Sequence, residues 1–152
     1  MSFSWKKVYL RTLGRLIPTD FFSHRFPVSI KGICVLDGRI VLVKNEHGAW
    51  DLPGGKLKRH EDIRRCLTRE LYEELNITAE AGPLIGATRM RVRGSITVLV
   101  LIYRCSTDAR EQELRLSSEH FAIATFLPSD IPSLNLPAEY SKAIDTALAV
   151  QP

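Results

Sequence analysis

No stretch of this sequence is apolar for long enough to cross a bilayer as a helix. The first residues show neither an unbroken apolar core nor a small-residue cleavage site, so no secretion leader is expected. Cysteine is scarce. Cys34, Cys66 and Cys105 are odd in number, far apart and set in apolar patterns, which excludes a disulfide framework and a zinc site. They read as reduced core residues of a cytoplasmic protein. Internal repeats and low-complexity segments are absent, which excludes a solenoid. Charge is also unexceptional: 21 basic against 17 acidic residues leave a net +4. That suits a partner bearing phosphates, but is too mild for the long basic surface that nucleic acid requires. A chain of 152 residues fits one domain and can bury a core of its own.

What the sequence does have is a concentration of acid. Residues 54–77 read GGKLKRHEDIRRCLTRELYEELNI. Neither Pro nor Gly interrupts residues 56–75, so one helix is expected there. At helical spacing Glu70, Glu73 and Glu74 share a face. Ile63, Leu67, Leu71 and Leu75 form an apolar stripe beside them. The acids therefore lie at the edge of a core, where a cleft can form. Like charges this close repel one another unless something positive sits among them. Hard oxygen ligands without a His/Cys cluster suit Mg²⁺ or Mn²⁺. On spacing alone, the competing reading is a solvated acidic helix face.

A wider pattern separates the two. Gly55, five residues, Glu61, seven residues, then Arg69-Glu70-Leu71-Tyr72-Glu73-Glu74 resembles the signature box of the Nudix hydrolases. Every fixed position agrees but one: Asn76 stands where the family has Gly, followed by the expected aliphatic Ile77. That position ends the helix, commonly in a left-handed backbone, which Asn tolerates best after Gly. The approach, Trp50-Asp51-Leu52-Pro53-Gly54-Gly55, is also similar to the family's.

Around the box, residues 28–36 and 39–44 read as strands joined by Asp37-Gly38, a hairpin signal. Residues 78–83 read as a connector punctuated by Gly82-Pro83. Residues 84–93 and 95–104 read as strands broken at Gly94. The second of these is apolar nearly throughout and is expected at the centre of the sheet. A strand over 121–127, an irregular proline-bearing stretch and a helix over 138–150 close the chain. The expected class is α/β (α+β), a mixed β-sheet between helices, in agreement with the α/β/α sandwich the resemblance implies. The division expected is an amphipathic helix and linker over residues 1–27, then the catalytic domain over 28–150. The basic helix over residues 2–17 is expected to pack on its own domain or to join a homodimer.

The resemblance implies hydrolysis of a nucleoside diphosphate linked to another group, with Mg²⁺ (or Mn²⁺) held by carboxylates and a base that takes the water's proton. Carried onto this sequence, Glu73 and Glu74 bind metal, Glu70 is a ligand or the base, and Glu61 supports them. Gly55 lends its carbonyl. Arg69 holds the carboxylates in position. Glu119 resembles a further carboxylate from a later loop, with Glu111 and Glu113 as runners-up and His120 as packing. Alternation places Arg89, Arg91 and Arg93 on one face, where they would grip a polyphosphate if that face were the cleft. Lys56 and Lys58 would meet phosphate too. Trp50 and Tyr140 read as packing residues. Three competing readings are a non-catalytic nucleotide sensor, an RNA 5′-end pyrophosphohydrolase and an isomerase using a reactive cysteine. The first usually lacks box glutamates, the second needs more basic surface, and the third needs a cysteine in a polar setting.

Overall fold

The computed structural model describes residues 26–45, 47–92, 96–116 and 121–150. The expected N-terminal helix, Arg93, Gly94, Glu119 and His120 lie outside them. Strands β1 (Val28–Ile33), β2 (Val35–Leu36), β3 (Arg39–Lys44) and β4 (Trp50–Asp51) precede helix α1 (Ile63–Leu75). Strands β5 (Glu80–Val92), β6 (Ile96–Ser106) and β7 (Ala122–Phe126) and helix α2 (Ala138–Ala149) follow, with 3-10 turns at Glu111–Glu113 and Pro128–Ser133.

The strands divide between two sheets. In one, β6 lies between a parallel β1 and an antiparallel β5. In the other, β3 pairs antiparallel with β2, β4 and β7. The hairpin turn forms at Asp37 and Gly38, both at positive φ as a primed turn requires. Side-chain alternation then builds two cores. Val41 and Val43 of β3 join Ile30, Leu67, Leu71 and Leu75 on the α1 side. Ile40 and Leu42 join Val98, Val100, Ile102, Tyr140 and Ile144 on the α2 side. A helix therefore covers each face, and the fold is the mixed α+β arrangement expected.

Several boundaries differ from the sequence reading; the run over residues 28–36 is two strands of different sheets, broken at Cys34. Helix α1 starts at Ile63, not at residue 56, because the Asp62 side chain accepts from the Arg64 and Arg65 backbone N–H groups as an N-cap. His60 just upstream adopts a left-handed φ of 64°. At the other end Asn76 is left-handed at φ 59°, the place where the box pattern wants Gly. Strand β5 begins at Glu80, so residues 80–83 are strand and not connector. Register shifts between Ala81 and Gly86 absorb Gly82-Pro83 as a bulge, and β5 is an edge strand, where a missing N–H is tolerated.

If the Asp62 carboxylate is what starts α1, Asp62→Ala should lower stability by about 1 kcal/mol at unchanged m-value in urea unfolding.

Candidate active site

The segment after β4 runs back along β1. Gly32 N–H donates to Pro53 O (2.9 Å), Ile30 N–H to Gly55 O (2.9 Å) and Leu57 N–H to Val28 O (3.0 Å). Ser29 Oγ adds a longer bond to Gly55 O (3.4 Å). This brings the two glycines against the acidic face of α1. Gly54 has φ 123°, and a Cβ there would lie 2.2 Å from Ile30 O. A Cβ at Gly55 would lie 2.4 Å from Glu70 Oε2. Position 54 requires glycine for this approach to β1, and glycine at 55 leaves the Glu70 carboxylate where Arg69 holds it.

Arg69 gathers three glutamates. Its Nε and Nη2 donate to Glu61 Oε1 (2.7 Å) and Oε2 (3.0 Å) as a fork. Its Nη1 donates to Glu70 Oε1 (2.6 Å) and Glu73 Oε2 (2.9 Å). The guanidinium, helped by the Lys58 backbone N–H, holds the Glu61 carboxyl down at about 2. The glutamates in turn raise the pKa of Arg69, so it stays charged. Glu74 is different. It is buried, and its Oε2 accepts the Gly54 N–H at 2.7 Å. Burial pushes its pKa up to about 7 against the opposing pull of that N–H and of Lys31.

Among the described residues no three carboxylate, imidazole or thiolate groups already stand as a metal-binding array. The glutamates converge on a guanidinium instead. The donor set nevertheless fits a hard divalent cation: it is all oxygen, and it already surrounds positive charge.

Beside this centre is a cavity of about 550 Å³, walled by Lys31, Trp50, Asp51, Lys56, Met90 and Tyr140 among others. Trp50 packs edge-on against Phe126, with ring centroids 4.9 Å apart. Burial, and then the negative Asp51 facing its hydroxyl, raise the Tyr140 pKa well above the ordinary phenol range. In β5, Met90 and Val92 line the cavity. The pleat therefore turns the exposed Arg89 and Arg91 to the opposite face, away from it. Glu111 accepts from Thr125 Oγ1 (2.5 Å) and so ties its turn to β7, while Glu113 accepts the Arg110 N–H (2.8 Å) within its own loop.

All three cysteines are buried and free. Cys66 has the polar setting that its apolar sequence context hid: Arg69 Nη2 lies 3.6 Å from its Sγ. Burial, then the Glu61 charge, still push its thiol up to about 12, which leaves it protonated and a poor nucleophile. Sequence reasoning missed Lys31 and Asp51, an ion pair at 3.1 Å joining the cavity to the glycine loop. The available signal was a lysine in the middle of an apolar strand.

Comparison with known proteins bears on the family and the fold. The family model for the NUDIX domain matches residues 25–147. The chain is 32% identical over 106 residues to a MutT-like protein of Streptomyces ambofaciens, a match covering 68% of this chain and 66% of that one. It is 31% identical over 116 residues to a CTP pyrophosphohydrolase of Escherichia coli (strain K12), covering 69% and 86%. A solved MutT protein from Methanosarcina mazei Go1 superposes with a TM-score of 0.72 at 21% identity, over 84% of this chain and 96% of that one.

The buried Glu74 makes a prediction about pH. Its folded pKa near 7 exceeds the ordinary 4.5, so the folded state keeps the proton longer. In chelator-treated protein the Glu74 contribution to stability should therefore be best below pH 4.5 and fall as pH rises to 7. Glu74→Gln should remove that slope, a difference on the order of 3 kcal/mol in urea unfolding at neutral pH. Parallel pH profiles for the two proteins would refute it.

Proposed function

Because this chain belongs to the Nudix family of hydrolases, we propose that it cleaves a pyrophosphate bond in a nucleoside diphosphate linked to another group, using Mg²⁺. Mn²⁺ is the alternative cation. The observation that carries the reading is the convergence of Glu61, Glu70 and Glu73 on one cationic group beside Gly55 and Glu74. That is the constellation a phosphate chain needs: a polyanion approaches carboxylates only where a hard cation lies between them. Bound there, the cation would offset phosphate charge and make water a better nucleophile.

The chain's own residues divide the remaining work. Glu73 and Glu74 are assigned as metal ligands, with Glu61, Glu70 and the Gly55 carbonyl in support. Ile30 and Ser29 already donate to that carbonyl, which leaves it the weakest of the set. Arg69 is a positioning residue: it touches three of the glutamates and holds their carboxylates in place. The proton of the attacking water goes to Glu70 or Glu119. The cavity receives the nucleoside, with Lys56 at its edge toward the phosphates. The relative named for CTP makes nucleoside triphosphates the first substrates to try. Because Arg89 and Arg91 face away from the cavity, they are assigned to phosphate only if the chain reaches the opposite face. The protein is placed in the cytoplasm, where its three buried thiols stay reduced.

Nucleoside triphosphates, ADP-ribose, NADH, dinucleoside polyphosphates and nucleotide sugars, each with Mg²⁺ or with EDTA, test the reading by product mass. Cleavage of at least one is expected, abolished by EDTA. Glu73→Gln should cut turnover by roughly a hundredfold or more with an unchanged circular dichroism spectrum. Full activity in that variant would reject its role, and an uncleaved panel would reject the assignment.

A further inference from the structure

The 52–55 backbone is held at every carbonyl. Extended chain points successive carbonyls in opposite directions, so a neighbouring strand can reach only alternate ones. The β1 backbone reaches two: Gly32 N–H takes Pro53 O and Ile30 N–H takes Gly55 O, each at 2.9 Å. The other two point elsewhere and meet one side chain. Lys31 Nζ donates to Leu52 O (2.8 Å) and Gly54 O (3.0 Å). Its third bond goes to Asp51 Oδ2 (3.1 Å).

An ammonium has three donors and no acceptor. Here three acceptors use all three, and the Lys31 side chain is only 12% exposed. Such burial is unfavourable unless the charge is fully partnered, and this one is. With no donor free, Lys31 is not a phosphate hook, although it lines the cavity.

We infer that Lys31 is a positioning residue for the hydrolysis proposed above: its ammonium fixes the 51–54 backbone so that the Gly54 N–H meets Glu74 and Gly55 clears Glu70. The inference rests on that reading for its catalytic consequence. Its structural part, the orientation of the Gly54 N–H toward Glu74 Oε2 at 2.7 Å, stands apart from it. Geometry and charge make different demands on the residue. Arginine keeps the charge, but its planar fork does not present three donors around one point as an ammonium does.

Lys31→Met and Lys31→Arg in the full chain separate the possibilities. Amide exchange is read without divalent cation, and kcat and KM with Mg²⁺ on the best nucleotide of the panel. In both variants the Gly54 amide should exchange at least about tenfold faster, while kcat falls about tenfold or more with KM little changed. The Val41 amide, which donates to Cys34 O (3.0 Å) away from the loop, should keep its protection. Full kcat in Lys31→Arg would overturn the inference, since charge would then suffice. A rise in KM alone would also overturn it, by making Lys31 a phosphate ligand. Unchanged protection at Gly54 would overturn it as well. If Lys31→Met fails to fold, Lys31→Arg alone decides between these outcomes. If the wild type cleaves nothing, the hydrolase reading falls, and Gly54 exchange still decides whether Lys31 sets the loop.

Discussion

Carboxylates crowded onto one helix face and its leading loop repel one another, and the site depends on how that repulsion is met. Arg69 meets it for three of them. One guanidinium takes Glu61 in a fork and reaches Glu70 and Glu73 with its remaining edge. Much else follows from this geometry. Glu61 must sit outside α1 to face the fork, so the helix must begin after it. Asp62 starts the helix at that point. The loop comes so close that a Cβ at position 55 would displace the Glu70 carboxylate from Arg69. A lysine at 69 would be a point charge, unable to hold a bidentate carboxylate and two others in one plane.

Glu74 lies beyond the reach of this solution and uses another. It is buried and held by the Gly54 N–H, and the Lys31 charge pulls against its burial. A carboxyl kept partly protonated near neutrality opposes folding when it ionises. Proteins keep such groups where a site needs them, and the stability comes from elsewhere. Here it comes from the α1 stripe of Cys66, Leu67, Leu71 and Leu75, all fully buried on the same helix. The acidic residue and the apolar stripe that supports it are one helical repeat apart.

The acidic face, the apolar stripe, the hairpin at Asp37-Gly38 and the central place of β6 could all be read from the sequence, because each is a local periodicity or a turn preference. Other features depended on partners far along the chain. Gly82-Pro83 looked like the end of a connector, and became a bulge because β6 pairs across it. Alternation put Arg89 and Arg91 on a common face, but parity does not say which face is the cleft. Met90 and Val92 took the cavity. Lys31 was visible only as an odd residue in an apolar strand. Its meaning lies in carbonyls more than twenty positions away.

The cavity and the glutamates share very little. Met90, Val92 and Leu136 wall the cavity and belong to elements that supply no box residue. Changes there can alter the shape presented to a ligand while Arg69 and its glutamates stay as they are. Asp51 and Lys31 are different, because each belongs to both regions: Asp51 faces Tyr140 on one side and Lys31 on the other, and Lys31 grips the loop that holds Glu74. On the proposed function, substrate choice can therefore drift through β5 and the segment before α2 at small expense to the chemistry, as loops on a rigid scaffold allow. A substitution at Asp51 cannot do the same. It would free an ammonium donor in the cavity and slacken the glycine loop in one step, so binding and turnover would change together.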